Sequence, residues 1–427
     1  MSALRIGLAG LGTVGQGVAA LLEANGELIA RRAGRPIHIT AVAARDKGRQ
    51  RGVKLDVPWV DAGALAARDD VDVVVEVIGG SEGIAKTLCE NALKSGKAVV
   101  TANKALLAHH GAALAALAEK HQASLAFEAA VAGGIPILQA VQDGLAANRI
   151  TRVVGILNGT CNYILTAMQE SGRPFEGVLA EAQEKGYAEA DPSFDIDGVD
   201  TAHKLSILAS LAFGSPVNFA SVSVEGIRRI SAEDIAFARE LGYVIKLLGV
   251  AETGKEGLQQ RVHPALVPLD APLASVNGVF NAVYLEGDPV GKQMFEGRGA
   301  GAGPTASAVV SDLIRIARGH VAAPFAIPIA QMQQLPAMPL GRIQRGYYLR
   351  LKVIDQPGVL ADVTDIFRKT QVSVKSLVQH GRRAGEPVQL VLVTHEAREE
   401  AMQSAVKAIA ALASVTESPQ LIRIEEA

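Results

Sequence analysis

The amino-acid sequence predicts an α/β protein in three parts: a doubly wound domain with a parallel sheet, an α+β domain, and a small βαββαβ domain. Three observations support this prediction. Short apolar segments alternate with helical segments in the first third of the chain, which is typical of a parallel sheet covered by helices. A glycine-rich turn follows the first strand, and a separate strand and helix order begins near residue 348. We place the domains at 1–134, 135–330 and 348–427, with a linker over 331–347.

The first strand and helix are joined by a glycine fingerprint, whose residues are Gly10, Leu11, Gly12, Thr13, Val14 and Gly15. It follows the apolar strand 4–9 and opens a helix, which is the context that such a motif requires. The glycines allow a tight turn and a close approach of a pyrophosphate, whose charge lies at the helix N-terminus. The segment therefore predicts a Rossmann-type domain that binds a nicotinamide or flavin dinucleotide. The alternative is a strand-to-helix turn without a ligand.

Further strands and helices alternate through the rest of the first domain. The predicted strands are 37–44, 71–77, 98–100 and 124–127, and the predicted helices are 81–94 and 105–120. Ligands of such sheets bind at the carboxyl ends of the strands. Gly79 and Lys104, which follow two neighbouring strands, are therefore candidates for the cofactor cleft. A lysine at a helix start is unfavourable unless an anion or a substrate is present, although such a lysine could also lie in solvent.

The end of the second strand bears on the choice between NAD and NADP. NAD binders usually present an acid to the ribose hydroxyls at this point, whereas the strand 37–44 ends on Arg45. Three more basic residues follow: Lys47, Arg49 and Arg51. This run favours the 2′-phosphate of NADP. NAD stays possible, because a shift of one residue in the strand end would make Asp46 the ribose acid, and the basic run could be a solvated loop.

The segment 191–204 is the most informative part of the chain, because it places four carboxylates upstream of one lysine. Asp200 and Lys204 lie four residues apart, so they share a face if a helix begins at Val199. Apolar residues at helical spacing after Lys204 support that helix. A carboxylate there can hold the lysine ammonium in one position, which is a catalytic arrangement. The alternative is an exposed ion pair, which is common and contributes little.

The middle domain begins after Glu128, where the pattern changes. We interpret 128–136 as a loop and hinge, and further strands are predicted at 152–156, 243–251, 258–268 and 279–286. A second glycine loop, 297–303, opens a helix near Pro304 that could pack back on the first domain. This loop is compatible with a structural turn or with backbone contacts to a phosphate or nicotinamide.

Composition excludes several classes of function. The chain has 427 residues and a net charge of −2, which provides no field for nucleic acid or an anionic membrane. Cys89 and Cys161 are too few for a disulfide framework, so a reducing cytoplasm is expected. No apolar run approaches the roughly 20 residues of a transmembrane helix. The first strand starts at once, which leaves no room for a signal peptide.

The last domain shows a compact pattern of its own. The predicted strands are 348–354, 372–380, 388–394 and 420–424, and the predicted helices are 359–370 and 399–411. This order is βαββαβ. The turn 355–358 and the helix start behind it offer backbone N–H groups to a carboxylate.

The first two domains closely resemble the homoserine dehydrogenase family. The motifs that carry the resemblance are GLGTVG at 10–15, TANK at 101–104, EAAVAGGIP at 128–136, LNGTCNYI at 157–164, GYAEADPSFDIDGVDTAHK at 186–204 and GRGAGAGPTASAV at 297–309. They occur in the family's order over residues 4 to about 320, and the stretch ending at Lys204 is highly specific. The resemblance implies reversible, nicotinamide-linked reduction of L-aspartate 4-semialdehyde to L-homoserine, in the biosynthesis of threonine, methionine and isoleucine.

The resemblance also implies roles for individual residues. Lys104 and Lys204 would flank the substrate carbonyl, and Asp200 would hold the lysine. Substrate contacts are implied from Glu189, Asp195 and Asp200. The cofactor contacts that we expect are the fingerprint residues together with Arg45, Gly79, Lys104 and Gly303. A monovalent cation such as Na⁺ is implied near Glu128, Val131, Gly133 and Ile135.

Residue chemistry agrees with these roles. Hydride transfer to an aldehyde leaves negative charge on oxygen, which a lysine ammonium can stabilise and protonate. The α-ammonium of the substrate needs acceptors, which Glu189 and one or more of Asp191, Asp195 and Asp200 could supply. An acylating dehydrogenase would instead need a cysteine nucleophile, and Cys161 is not in a recognisable activated setting. A catalytically idle nucleotide and amino-acid sensor is the alternative from another class, and the presence of both lysines argues against it.

The last domain, with its loop DQPGVL at 355–360, resembles an ACT domain. That resemblance implies an amino-acid effector, for which we expect threonine, and a homo-oligomer, because such modules usually pair between chains. The alternative is a structural or dimerising ferredoxin-like domain. Because no aspartokinase-like segment precedes residue 1, we expect the monofunctional form.

Overall fold

A computed structural model of the chain describes residues 2–46, 48, 50–380 and 385–426. Its strands are β1 (Leu4–Ala9), β2 (Ile37–Ala43), β3 (Val73–Glu76), β4 (Ala98–Thr101), β5 (Leu125–Ala126), β6 (Arg149–Ile156), β7 (Ser223–Val224), β8 (Tyr243–Gly254), β9 (Gly257–Pro268), β10 (Phe280–Asp288), β11 (Gly291–Arg298), β12 (Gln344–Ile354), β13 (Val374–Gln379), β14 (Pro387–Thr394), β15 (Ala397–Arg398) and β16 (Gln420–Ile424). Its α-helices are α1 (Thr13–Ala24), α2 (Gly26–Ala33), α3 (Ile84–Lys94), α4 (Lys104–Lys120), α5 (Ile137–Gln139), α6 (Gly159–Ser171), α7 (Phe175–Glu184), α8 (Ser193–Ile196), α9 (Val199–Phe213), α10 (Ala232–Glu240), α11 (Ala302–Ala317), α12 (Val359–Thr370) and α13 (Glu399–Ala410).

The first domain contains a parallel sheet in the order β2-β1-β3-β4-β5, with helices between the strands. Both faces of this sheet are covered, which explains why the strand sequences are continuously apolar rather than alternating. Val73, Val74 and Val75 in β3 are all fully buried. The predicted doubly wound, Rossmann-type arrangement is confirmed. α3 begins at Ile84 rather than at residue 81, after Gly83, which has a positive φ of 74°.

A second, larger sheet runs through the middle and last domains in the order β11-β10-β6-β8-β9-β16-β12-β14-β13. The prediction missed β11, which forms a hairpin with β10 and extends to Arg298. Gly297 and Arg298 are therefore strand residues rather than part of a loop. The glycines obscured this strand, because a strand with few apolar residues shows no alternation.

The last domain has the predicted βαββαβ order, with the two-residue strand β15 in addition. The predicted linker, 331–347, was wrong at its end, because β12 already begins at Gln344. The preceding chain is also not loose. The N–H of Leu258 donates to the carbonyl oxygen of Pro336 at 2.9 Å, and the N–H of Met338 donates to that of Leu258 at 2.9 Å.

The middle and last domains are joined by a pair of strands, since β16 lies in parallel beside β9. Behind this pairing, Glu425 accepts hydrogen bonds from Arg261, and both side chains are fully buried. Arg345 on β12 and Arg152 on β6 also form ion pairs with Glu425. We refer to this set of contacts, centred on Arg261 and Glu425, as the seam.

The helix that follows the second glycine loop packs against the first domain, as expected. A side chain at Gly17 on α1 would place its Cβ 2.6 Å from the carbonyl oxygen of Ala302 on α11. Val309 and Leu313 of α11 share a buried cluster with Val18 of α1. Among the helices that the structure describes, none has the length and apolar character needed to cross a membrane.

Candidate active site

A cleft of about 930 Å³ opens at the carboxyl ends of the first strands. Its lining includes Gly10, Leu11, Gly12, Ala43, Ala44, Arg45, Asp46, Arg51, Val77, Ile78 and Gly79. Gly10 has a φ of 104°, and a Cβ there would lie 2.5 Å from the carbonyl oxygen of Val77. A Cβ at Gly15 would lie 2.0 Å from the carbonyl oxygen of Gly10. Only glycine fits at these two positions, which holds the turn tightly against β3.

The first turn of α1 suits an anion. Gly12 is its N-cap and provides no side-chain hydrogen bond, and no acidic residue occurs in that turn of the described helix. A Cβ at Gly12 would meet nothing within 4 Å, so the backbone is open to the cleft. Unpaired N–H groups and the helix dipole at such an end bind phosphate. These features fit a dinucleotide pyrophosphate.

Basic side chains occupy the part of the cleft beyond β2. Arg45, Asp46 and Arg51 all line it, while Lys47 and Arg49 lie outside the described residues. Asp46 accepts a hydrogen bond from the N–H of Gly48 at 2.9 Å through one carboxylate oxygen. Arg51 donates to the carbonyl oxygen of Asp46, and its guanidinium lies 5.1 Å from the centre of the Trp59 ring.

Five predicted cofactor residues do not line this cleft in the described chain: Thr13, Val14, Gly15, Lys104 and Gly303. Thr13 and Val14 form the first turn of α1, behind the glycine turn. Gly303 is the second residue of α11, which starts beside Gly17. The glycine loop before it packs against the segment 128–136 at the domain boundary, since a Cβ at Gly133 would lie 2.2 Å from the carbonyl oxygen of Gly299. This contact supports the interpretation of 297–303 as a structural turn.

The two candidate lysines meet at one carboxylate. Lys104 is the first residue of α4, and Asp200 and Lys204 lie on the first turns of α9. The Nζ of Lys104 lies 2.7 Å from Oδ1 of Asp200, and the Nζ of Lys204 lies 2.7 Å from Oδ2. Asp200 is 2% exposed and Lys204 is 8% exposed. The helix predicted from Val199 is confirmed, and the alternative of an exposed ion pair is wrong.

Lys204 uses two of its three N–H groups within the protein. It donates to the carbonyl oxygen of Leu157 at 2.7 Å and to Asp200 at 2.7 Å. Burial lowers the pKa of Lys204, the charge of Asp200 raises it, and Lys104 lowers it further, so the pKa lies below the ordinary value for lysine. A lower pKa makes the ammonium a stronger acid near neutral pH.

The pKa of Lys104 shifts in the opposite direction from that of Lys204, because the surroundings of the two lysines differ. Its side chain is 34% exposed, whereas that of Lys204 is 10% exposed. Burial lowers the pKa of Lys104, but the charge of Asp200 and their hydrogen bond outweigh burial and raise it above its ordinary value. Asp195 and Glu189 contribute in the same direction. Both lysines thus depend on the Asp200 carboxylate, whose own pKa is held far below its usual range by the two ammonium charges despite burial.

Asn158 organises the carboxylates of the site and was missed from the sequence. Its Nδ2 donates to Asp195 at 2.8 Å and to Asp200 at 2.9 Å. Its Oδ1 accepts the N–H of Cys161 at 2.8 Å, so the same side chain caps α6. Burial and the charge of Asp200 raise the pKa of Asp195. An asparagine directly after a strand and before a helix was the available signal.

The other acidic candidates are not equally placed. Glu189 is exposed, although its negative charge contributes to raising the pKa of Lys104. Asp191 accepts the N–H of Ser193, the first residue of α8, at 3.1 Å, which is a local structural role. Cys161 is fully buried and burial raises the pKa of its thiol well above the ordinary value, which disfavours the reactive thiolate.

The predicted cation residues lie together in one buried turn at the domain boundary. The members are Glu128, Val131, Gly133 and Ile135, all of them buried. Glu128–Ala130, at the start of this segment, form a 3-10 turn, and the Glu128 side chain accepts the N–H groups of Leu138 and Gln139. Residues 131–135 form turns and bends, as expected for a loop. Burial and the charge of Asp312 raise the pKa of Glu128 to about 8. Glu128 and Asp312 are both buried carboxylates, and carboxylate oxygens are ligands that a hard cation prefers.

Within the described residues, no group of three or more His, Cys, Asp or Glu side chains is placed to hold a metal ion. A cation at the turn would therefore depend on backbone oxygens, as the resemblance implies. Ile135 already uses its carbonyl oxygen to accept the N–H of Ile137 at 2.8 Å.

Comparisons with known proteins agree over the whole chain. Residues 10–128 match the homoserine dehydrogenase NAD-binding domain, residues 136–314 match the homoserine dehydrogenase family, and residues 347–414 match the ACT domain. The homoserine dehydrogenase of Neisseria gonorrhoeae is 47% identical over 432 residues, covering 100% of this chain and 99% of that protein. That of Pseudomonas aeruginosa is 44% identical, with 100% of both chains covered.

Solved structures show the same likeness. The crystal structure of a homoserine dehydrogenase from Thiobacillus denitrificans has a TM-score of 0.94 and 43% identity, covering 99% of this chain and 98% of that one. The homoserine dehydrogenase of S. aureus has a TM-score of 0.78 and 32% identity, covering 100% and 99%. With its nucleotide-binding, catalytic and ACT domains in this order, the chain belongs to the homoserine dehydrogenase family and is an oxidoreductase of that family.

Proposed function

We propose that the chain catalyses the reversible reduction of L-aspartate 4-semialdehyde to L-homoserine, with Lys204 as the acid. The carrying observation is the contact of Asp200 with both lysines, one from each of two domains. When bound, the nicotinamide supplies the hydride. The third N–H of Lys204 donates to the carbonyl oxygen, where negative charge develops, and gives that oxygen its proton. In the reverse direction, neutral Lys204 takes the proton from the hydroxyl.

Lys104 and the acidic residues orient the substrate in this proposal. The ammonium of Lys104 lies at the more exposed side of Asp200 and stabilises the same oxygen. Asp195 and Glu189 accept hydrogen bonds from the α-ammonium of the substrate. This arrangement assigns the reaction to the boundary between α4 and α9, beside the cofactor cleft.

An assay that follows NADPH absorbance with aspartate semialdehyde tests this function directly. Turnover that yields homoserine supports the proposal. A protein that binds NADPH and amino acids without turnover would instead be the idle sensor.

The cofactor is NADP in our proposal, with NAD used less well. Arg45 and Arg51 line the cleft beyond β2, and Asp46 uses one carboxylate oxygen within its own loop. A 2′-phosphate there would receive charge-assisted hydrogen bonds.

Arg45→Ala should narrow the preference for NADPH over NADH, mainly by weakening NADPH. One charge-assisted contact is worth about 1.5 to 3 kcal/mol, which corresponds to roughly 10- to 100-fold in kcat/KM. Arg31→Ala, at an exposed arginine of α2, is the matched control and should change neither cofactor. Equal use of NADPH and NADH by the unaltered protein would show that the basic run is only a surface.

Threonine is the effector in our proposal, bound at the turn 355–358 of the ACT domain. Gly358 is the N-cap of α12 with a φ of 97°, and it provides no side-chain cap to the helix. The open N–H groups suit an amino-acid carboxylate. Leu360 and Leu377 are 46% and 40% exposed, which supports pairing of this domain with a second copy in a homo-oligomer.

Gln356→Trp should abolish inhibition by threonine and leave uninhibited turnover unchanged, because the exposed side chain would fill the turn. Ala408→Trp, on the exposed face of α13, is the control and should keep the inhibition. Calorimetry and turnover at millimolar threonine provide the measurement. Removing residues after 346 is unsuitable, since it would remove β16 from beside β9 and take Glu425 away from Arg261. An absence of threonine binding to the full chain would contradict this effector assignment.

A monovalent cation at Glu128 completes the proposal. Replacing tetramethylammonium with Na⁺ at constant ionic strength should raise the unfolding temperature of the unaltered protein, because Na⁺ binds only the folded state. Glu128→Gln should remove this dependence. Glu119→Gln is the matched control, since Glu119 also accepts a backbone N–H, that of Ile329, through both carboxylate oxygens. Equal unfolding temperatures in the two salts would contradict the cation site.

A further inference from the structure

A fully buried carboxylate, Glu76, ends β3 between the cofactor cleft and the lysine site. It is the one charged side chain in a strand that otherwise consists of valines. Burying a carboxylate costs several kcal/mol unless hydrogen bonds compensate. Among the ion pairs of the described residues, none involves Glu76. Its position therefore depends on neutral hydrogen-bond donors.

The two oxygens of this carboxylate contact two different loops. Oε1 accepts the N–H of Ile78 at 2.8 Å and that of Gly79 at 3.2 Å. Oε2 accepts the hydroxyl of Thr101, at the end of β4, at 2.6 Å. Ile78 and Gly79 line the cofactor cleft. Thr101 lies three residues before Lys104 along the chain.

The connection continues from Thr101 to the start of α4. The Thr101 hydroxyl accepts the N–H of Asn103 at 3.0 Å, and the Asn103 side chain accepts the N–H of Leu106 at 3.1 Å. Asn103 also donates to the carbonyl oxygen of Gly80 at 2.7 Å. The two loops are thus tied twice, once by Glu76 and once by Asn103. Lys104 lies directly after the second tie.

We propose that Glu76 is a positioning residue for hydride transfer: its carboxylate fixes the loop of Gly79, which borders the cofactor, relative to the helix start that carries Lys104. This proposal rests on the proposed role of Lys104. Gly79 and Gly80 have φ values of 92° and 84°, a region that glycine enters freely, so this flexible backbone is held in place by the hydrogen bonds from Ile78 and Gly79 to Glu76. Reaction rate depends steeply on such geometry, since a misplacement of about 1 Å can cost roughly 100-fold.

A merely structural role makes a different prediction. If Glu76 only stabilised the loop, its loss would lower the unfolding temperature without changing the rate of hydride transfer in folded enzyme. Single-turnover kinetics separate these cases, because they measure the chemical step apart from binding and product release.

The experiment measures hydride transfer after mixing the enzyme, saturated with NADPH, with excess aspartate semialdehyde. Glu76→Ala should slow this step by about 10- to 100-fold, and deuterated NADPH should slow it further, which identifies the step. Glu76→Gln keeps an oxygen for the loop amides and should recover much of the rate. Val74→Ala, at a fully buried neighbour in β3, is the control for loss of stability and should leave the step unchanged.

An isosteric double variant covers the case in which Glu76→Ala does not fold. Glu76→Gln with Thr101→Val keeps the volume of both side chains and removes the bond between the loops, so it should slow hydride transfer more than Glu76→Gln alone. Unchanged hydride transfer in folded Glu76→Ala, or in this double variant, overturns the proposal. Lys104→Ala distinguishes that failure from one of the proposed function, since a normal rate in Lys104→Ala would overturn the role of Lys104 itself.

Discussion

Lys204→Ala should lower turnover by about two to four orders of magnitude, because a positioned proton donor contributes that much to rate. Binding of NADPH should stay nearly unchanged, since Lys204 is not among the residues that line the cleft with the glycine turn and Arg45. Lys104→Ala should also be severe, in part through lost orientation of the substrate. The measurements are steady-state turnover and fluorescence titration of NADPH.

The control for this prediction is Lys185→Ala. Lys185 also forms an i,i+4 ion pair, with Glu181, but its side chain is 51% exposed. Its removal should leave turnover intact. If the folded Lys204→Ala variant retains more than a tenth of the original turnover, Lys204 is not the acid.

The pH dependence of turnover provides a second test of Lys204 as the acid. Lys204 donates a proton only while it is charged, so reduction should fall as pH rises through its pKa. Burial and the neighbouring Lys104 lower that pKa despite Asp200. The alkaline limb of the profile should therefore lie below the ordinary value of 10.5 for lysine.

Asp200→Asn should lower both stability and turnover, because it leaves two ammonium groups without the carboxylate between them. Breaking a buried ion pair by removing one partner costs about 3 to 5 kcal/mol. The charges of both lysines hold the pKa of Asp200 far below its unfolded value, against the effect of burial. Its stabilisation is thus fully present above about pH 4 and is lost as pH falls through the folded pKa. Denaturant unfolding should show that the unaltered protein and Asp200→Asn differ less in free energy of unfolding at acidic pH than at pH 7.

The same substitution should move the alkaline limb of turnover to lower pH, because Lys204 loses the anion that raises its pKa. Asp197→Asn is the matched control. Asp197 lies on the same segment and pairs with Arg228, but the two side chains are 42% and 48% exposed. Such a pair contributes about 0 to 1 kcal/mol. Equal losses of stability and turnover in Asp200→Asn and Asp197→Asn would contradict the proposed role of Asp200.

Much of this arrangement could be predicted from local patterns. The glycine turn, the buried strands of the first sheet and the helix that carries Asp200 and Lys204 each follow from spacing within about 20 residues. The βαββαβ order of the last domain was readable for the same reason.

Contacts between distant segments could not be predicted in this way. Nothing local shows that Lys104 reaches the Asp200 carboxylate from another domain, or that Asn158 donates to both Asp195 and Asp200. The buried position of Glu76 was equally hidden, because a polar residue at a strand end usually lies in solvent. Pairing of β16 with β9 joins residues more than 150 positions apart, such as Ala265 and Arg423, and no periodicity encodes it.

The seam has a consequence for how the protein comes apart. Separating β16 from β9 would break the ion pair between the Arg261 guanidinium and the Glu425 carboxylate, which are both fully buried. That loss adds to the exposed edge of β9, so the last two domains should melt together in a single cooperative transition. A shape change in the ACT domain would then reach β9 as a twist of one continuous sheet, without an intervening joint that could absorb it.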